Sequence, residues 1–206
     1  SDKKLFGIYM ISIVFSVLGF VGTYSILEWE SIKIFMNLLV GLIIGVVFLV
    51  PQKFEESEIY EYKPWRRMLM MIIVFNAYLL LTILFGVDIF FNNFSQFWVL
   101  SIVGGLVSSV SGVMIWRLYY PDRDIRGFLL WGMLSFLVVF ELMWVFKFLP
   151  FGYLDLGLLV AWVWYILQLF IRFHISKKGI IWRKQKVFLV GNAILFLSFL
   201  FFIRWI

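Results

Sequence analysis

The stretch NAYLLLTILF, residues 76–85, returns near the end of the chain as NAILFLSFLF, residues 192–201. Matches between Leu and Phe carry little information, because hydrophobic residues make up 64% of the 206 residues. The alanines carry more information, since the chain has only three, and both Ala77 and Ala193 directly follow an asparagine. The repetition indicates an internal duplication and draws attention to the two asparagines.

The composition predicts a membrane protein. Charged residues make up 15% of the chain, whereas soluble domains are about a quarter charged and about half apolar. A helix needs about 20 apolar residues to cross a hydrocarbon core of about 30 Å. Seven such runs occur, at residues 5–27, 32–50, 66–87, 95–118, 127–149, 153–173 and 187–205. We therefore expect an all-α polytopic membrane protein with seven transmembrane helices and no soluble domain.

The helices before the repeated stretches also correspond. LLVG at 38–41 matches LLVA at 158–161, and Arg67 precedes Asn76 by the same distance as Arg183 precedes Asn192. Two copies of a three-helix unit joined by one further helix run parallel in the membrane. The prediction is a single membrane domain with a parallel 3+1+3 repeat. It comprises a first unit at 1–90, a linker helix at 91–122 and a second unit at 123–206.

Small residues recur at four-residue spacing in several predicted helices. Such stripes let helix backbones approach closely in lipid. We therefore expect packing seams in helix 1, in helix 2 and, with two parallel rows, in helix 4. The stripes consist of Ser12, Ser16, Gly19 and Thr23 in helix 1; Gly41 and Gly45 in helix 2; and Ser101, Gly104, Gly105, Ser108, Ser109 and Gly112 in helix 4.

Positive charge is concentrated on one face of the predicted bundle. When alternate loops are assigned to alternate faces, all but Lys33, Lys147 and Arg204 of the 18 basic residues fall on the face of the N-terminus. The positive-inside rule then predicts a plasma (inner) membrane protein with a cytoplasmic N-terminus and its C-terminus outside. Topology and contact with anionic lipid explain the net charge of +6, so no nucleic-acid partner is expected.

Polar and large aromatic side chains within the predicted spans are the candidate ligand-binding residues, because polar groups in a bilayer are costly and face protein or water. Asn76 and Asn192 are expected at equal depth, where they would either grip a solute across a central cavity or hydrogen-bond neighbouring helices. The full candidate set is Asn76, Thr82, Glu141, Trp144, Trp162, Gln168, Asn192 and Ser198.

Glu141 is the acidic residue well inside the spans. It could couple transport to protons, make a structural hydrogen bond or serve an intramembrane enzyme. Lys147 is a poor direct partner, since it lies about 120° around the helix. Trp144 and Trp162, with Trp164 and Tyr165, could wall an aromatic pocket or simply pack.

Several chemistries are excluded. The chain has no cysteine and a single histidine, so neither a thiolate nor a multi-histidine metal site can be built. No GxSxG or paired-carboxylate motif occurs in the spans, and helix 7 contains no lysine for a retinal Schiff base. We predict no catalytic residue, no metal site and no cofactor.

Two parallel three-helix units with an asparagine at matched depth in helices 3 and 7 resemble the SWEET sugar transporters and the related PnuC vitamin transporters. The resemblance implies that Asn76 and Asn192 line a solute pocket. The sequence departs from SWEETs in two respects. Its four prolines lie at predicted helix ends, and its predicted N-terminus is cytoplasmic.

Three functions fit these patterns. The leading hypothesis is a small-solute transporter or facilitator with a central pocket between two three-helix bundles, taking a polar or aromatic solute. The alternative is a non-catalytic membrane scaffold, receptor or regulatory subunit with a membrane protein partner. The third is a lipid-modifying enzyme that uses Glu141. The lipid bilayer is a partner in all three.

Overall fold

In the computed structural model the chain forms seven α-helices and no strand within the described residues, which are 2–54, 62–91, 97–120, 126–176, 180 and 182–202. Each helix coincides with one of the apolar runs, so the all-helical prediction is confirmed. The helices are α1 (Asp2–Ile26), α2 (Glu30–Phe54), α3 (Tyr62–Phe91), α4 (Phe97–Tyr119), α5 (Arg126–Lys147), α6 (Tyr153–Ile175) and α7 (Trp182–Phe202).

Five helices are long and apolar enough to cross a membrane. The spanning segments are Gly7–Ile26, Arg66–Phe91, Phe97–Tyr119, Arg126–Lys147 and Tyr153–Ile175. The described apolar segment of α7, Gln185–Phe201, is shorter, and α2 is not among the five. The chain is thus a helical membrane protein, while spans at α2 and α7 stay predictions.

Helix α3 is the centre of the bundle. It packs along α1, α4 and α6, while α4 packs on α5 and α5 on α6. Helix α7 touches α6 through ring contacts such as Trp162 with Phe196. In the predicted repeat α5 and α7 correspond to α1 and α3, yet they share no comparable contact among the described residues. The 3+1+3 arrangement is therefore not confirmed.

Close helix packing confirms the predicted seams of α1 and α4. A Cβ on Gly19 of α1 would lie 3.1 Å from the Cβ of Leu79 on α3. A Cβ on Gly105 of α4 would lie 2.7 Å from the ring of Phe136 on α5. The absence of a side chain at each position is what allows the helices to approach, so these glycines set the spacing around α3 and α4.

The seam predicted for α2 is wrong. A Cβ at Gly41 or Gly45 would have no atom of the described residues within 4 Å outside its own helix backbone. Leu38 and Leu42 beside them are exposed as well. This side of α2 points away from the described helices, because α2 uses another face to contact α1 and α3.

Candidate functional site

Asn76 is completely buried between α3 and α1. Its Nδ2 donates to the backbone carbonyl of Ser12 at 3.1 Å, and its Oδ1 accepts from the Ser16 hydroxyl at 3.1 Å. The small side chains of the α1 stripe bring the two helices close enough for these bonds. Both ends of the amide therefore join α3 to α1. Of the two roles expected for Asn76, this is the hydrogen bonding to a neighbouring helix.

Asn192 is half-buried between α7 and α6. Its Oδ1 accepts from Trp162 Nε1 at 3.0 Å, and its Nδ2 donates to the carbonyl of Phe188, one turn earlier in α7, at 2.9 Å. Asn76 thus binds to α1 and Asn192 to α6. The two amides therefore bond to different helices and not to each other.

Thr82 and Ser198 lie six residues after the two asparagines, and they differ in burial as the asparagines do. Thr82 is buried where α3 meets α6, and a Cβ on Gly157 would lie 2.8 Å from its Cα and 2.9 Å from its N. Ser198 is half-buried on α7. Helices α3 and α6 are therefore in backbone contact at Thr82, which closes the seam between the two halves at this level.

Gln168 lies in a buried polar cluster between α4, α5 and α6. Its Nε2 donates to the Ser135 hydroxyl at 2.9 Å, and Trp164 Nε1 donates to the same oxygen at 3.1 Å. Its Oε1 lies 2.7 Å from the position of a Cβ on Gly112 and has no hydrogen-bond partner among the described residues. The cluster is enclosed and holds three helices together.

The tryptophans expected to wall one pocket face different helices. Trp144 of α5 packs against α4, with ring centroids 5.0 Å from Phe97 and 4.8 Å from Trp98. Trp162 packs against α7, and Trp164 bonds to α5. The structure therefore divides these rings among three interfaces.

Glu141 is exposed on the outer surface of α5. It makes no hydrogen bond or ion pair in the part of the chain that the structure describes. Lys147 pairs instead with Asp88, in agreement with the expectation that it is a poor partner for Glu141. Glu141 therefore lies away from the candidate residues of α3 and α6.

Contacts among five helices, α1, α3, α4, α5 and α6, lie at the end of the bundle where α3 ends, which we call the Asp88 end. Lys147 Nζ lies 2.8 Å from Asp88 Oδ1 and 4.0 Å from the ring centroid of Phe97, and both charged side chains are largely buried. The Tyr153 hydroxyl donates to the carbonyl of Ile26 at 3.4 Å. The Asp88 end is therefore closed by contacts of α3 with α5 and of α1 with α6.

At the opposite end, which we call the basic end, an open cleft of about 460 Å³ lies between α3, α6 and α7. Its walls combine apolar or aromatic side chains with two guanidinium groups and one carboxamide. The lining residues are Arg67, Met70, Met71, Tyr165, Leu169, Arg172, Phe173, Gln185 and Phe188. The cleft thus lies between a helix of the first predicted unit and two helices of the second.

Arg172 is the most firmly positioned polar residue of the cleft. Its guanidinium carbon lies 4.6 Å from the ring centroid of Tyr119 and 5.1 Å from that of Phe173. Its Nη1 lies 3.5 Å from the sulfur of Met70. A thioether is a weak acceptor and a guanidinium has five N–H donors, so most of its donor capacity remains.

Sequence reasoning missed the cleft because it used Arg67 and Arg172 only to assign topology and, for Arg67, to align the two repeats. One signal was present. Tyr165, Leu169 and Arg172 recur at i, i+4 and i+7, so they share one face of a helix. Asp88 was missed as well, although its position near one membrane face matches that of Lys147.

Comparison with known proteins adds no further assignment. No family model matches the chain, and neither the curated proteins nor the solved structures contain a match. The functional argument therefore depends on the geometry of the cleft and of the closed Asp88 end.

Proposed function

We propose that this chain is a small-solute membrane transporter or facilitator whose solute enters the cleft at the basic end. The proposal keeps the predicted path between the two halves, including their parallel 3+1+3 relationship, but moves solute contact from the paired asparagines to the cleft. The positive-inside rule makes the basic end cytoplasmic. The resemblance to SWEET and PnuC transporters agrees with a path between α3 and the second half.

The observation that carries the proposal is the difference between the two ends. The cleft is open at the basic end, whereas the Asp88–Lys147 ion pair and Tyr153 close the other end. Transporters that expose a site to one side at a time need this asymmetry. The arrangement has the features of an inward-open state with its outer gate closed.

Thr82 occupies the seam between the cleft and the Asp88 end. If the halves separate during transport, the contact between Thr82 and Gly157 must open, because the backbones of α3 and α6 approach closely there. A non-transporting protein has no reason to open this contact. The accessibility of Thr82 therefore distinguishes the two classes of function.

The chain has no cysteine, so single cysteines can be introduced without a background reaction. We would compare Thr82→Cys with the matched control Ser135→Cys in proteoliposomes treated with a membrane-impermeant maleimide. Both positions are buried, but Ser135 lies between α5 and α6 within the second half. If the protein is a transporter, the maleimide should label Thr82→Cys faster than Ser135→Cys. Adding Asp88→Asn should increase this difference in rate, because it weakens the closed end.

Equal labelling rates at the two positions, with and without Asp88→Asn, would refute the transport proposal. Thermal unfolding of each variant in detergent establishes that the cysteines have not altered the fold.

The alternative function is a non-catalytic membrane scaffold, receptor or regulatory subunit, and Glu141 favours it. A carboxyl group exposed on a membrane span costs about 2.5–3.5 kcal/mol near the helix centre unless it is neutralised or paired. A partner helix with a hydrogen-bond donor would supply the missing contact. Co-purification of a defined membrane protein that is lost in Glu141→Gln would support this function.

A further inference from the structure

We infer that the cleft at the basic end binds an amphiphilic anion, namely a phosphate or phosphodiester group carried on an apolar body. The inference deepens the proposed function, on which it rests for the role of the cleft as the solute entrance. It names the substrate class of that site.

The first argument is uncompensated charge. Arg67 and Arg172 both line the cleft, and neither forms an ion pair among the described residues. None of the described residues that line the cleft is acidic. Two guanidinium groups around one cavity, with no carboxylate among these lining residues, favour an anionic ligand. Arginine recognises phosphate through paired N–H donors.

The second argument is the fixed position of one of these groups. Arg172 is held between the rings of Tyr119 and Phe173, and only one of its donors faces a described acceptor, the weakly accepting sulfur of Met70. A guanidinium stacked on rings loses little further freedom when it binds an anion. Arg67, in contrast, is exposed, so it can close over the ligand from the α3 side.

The third argument is the apolar wall. Met71 of α3, Leu169 of α6 and Phe188 of α7 all line the cleft. A bare inorganic anion would leave this surface without a partner, whereas an aliphatic or aromatic body would cover it. The volume of about 460 Å³ lies within the 300–1,000 Å³ of ordinary ligand pockets.

The position of the arginines also fits an amphiphile. Arg172 lies in the last turn of α6 and Arg67 in the second turn of α3, so both lie near one membrane face while the apolar wall continues inward. Basic pockets between helices at this depth bind lipid headgroups. The same chemistry accepts a membrane phospholipid or a soluble amphiphilic phosphate.

The test measures binding of octyl phosphate to the full chain in phosphatidylcholine nanodiscs. We expect saturable binding that becomes at least about tenfold weaker in Arg172→Gln, since a hydrogen bond to a charged group is lost. Arg172→Lys keeps the charge but not the paired donors, so its affinity for octyl phosphate should lie between those of the unmodified chain and Arg172→Gln. The control Lys186→Gln removes an exposed charge next to the cleft without lining it, and should change affinity less than twofold.

Two chemical controls complete the test. Octanol lacks the phosphate, and inorganic phosphate lacks the octyl group. Both should bind at least about tenfold more weakly than octyl phosphate. Equal binding of octanol, or equal losses in Arg172→Gln and Lys186→Gln, would overturn the inference.

A second arm identifies the source of the anion. If phosphatidylglycerol nanodiscs abolish octyl phosphate binding to the unmodified chain, the resident ligand is a lipid; if binding persists, it is a soluble amphiphile. If only the proposed transport function is wrong, Thr82→Cys will not react with the maleimide although the protein still binds octyl phosphate. Reactive Thr82→Cys with no octyl phosphate binding would leave transport standing and overturn the anion assignment.

Discussion

Helices α3 and α7 begin their central turns with the same two residues but have different surroundings. Asn76 and Ala77 of α3 are completely buried, whereas Asn192 is half-buried and Ala193 is exposed. The amide of Asn76 joins two helices with both of its ends. That of Asn192 uses one end within its own helix.

The difference teaches that the neighbours of the motif decide its role. Helix α3 meets Gly19 of α1 and Gly157 of α6, where the missing side chains allow close approach on two sides. Helix α7 has its own glycine, Gly191, but a Cβ there would have no atom of the described residues within 4 Å outside the backbone of α7 itself. The asparagine of the repeated motif therefore links helices at the centre of the bundle in α3, whereas in α7 it makes a peripheral contact.

The largest expected effect comes from the contact between α3 and α6. Gly157→Ala would force a Cβ to within 2.8 Å of the Thr82 backbone, which cannot move without displacing α3. We expect a loss of about 3 kcal/mol in the free energy of unfolding, at the upper end of overpacking costs. Reversible unfolding of the detergent-solubilised protein measures it.

The matched control is Gly191→Ala on α7, where the added methyl group meets open space. Higher helix propensity should leave this variant unchanged or more stable by up to about 1 kcal/mol. If both alanines destabilise the protein equally, α7 packs as tightly as α3 and the comparison fails.

The second effect concerns the central asparagine. Asn76→Ala removes two hydrogen bonds between α3 and α1, and interhelical bonds in membranes contribute about 0.6 kcal/mol on average and up to about 1.7. We expect a loss of about 2 kcal/mol in the free energy of unfolding. Ser16→Ala removes one of these two bonds and also the 2.9 Å contact between the same hydroxyl and the Ser12 carbonyl. It should still cost less than Asn76→Ala, because the bond from Asn76 Nδ2 to Ser12 remains. A larger cost than that of Asn76→Ala would contradict the central role of the amide.

The third effect tests the peripheral copy of the motif. Asn192→Ala removes one interhelical bond, from Trp162, at a half-buried site. The expected loss is about 0.6 kcal/mol. Trp162 fluorescence should shift in the same variant because its indole N–H loses its acceptor. A loss as large as that of Asn76→Ala would mean that the two copies are equivalent after all.

Sequence patterns predicted the helices well because hydropathy over about 20 residues is a local property. The small-residue stripes of α1 and α4 also led to the correct packing. The same type of stripe failed at Gly41 and Gly45, since a stripe does not specify whether a second helix arrives to fill it.

The candidate site was harder to predict because it depends on which helices meet. The distances of Asn76 and Asn192 from Arg67 and Arg183 predict equal depth for the two asparagines, but they do not specify which helix each side chain meets. Likewise, Arg67 and Arg172 are far apart in sequence, and only the packing of α3 against α6 brings both to one cleft. Counting charges assigns such residues to a membrane face but does not show that two of them line the same cleft.

The smallest expected effect extends the comparison to a polar residue that faces away from the bundle. Glu141→Gln should change the free energy of unfolding of the isolated chain by no more than about 0.5 kcal/mol, because an exposed side chain without described partners loses no contact. A destabilisation above about 1.5 kcal/mol in detergent would place the carboxyl group inside a network, as at Asn76. No change in detergent, together with loss of a co-purifying membrane protein, would instead show that the outer face of α5 is completed by another chain.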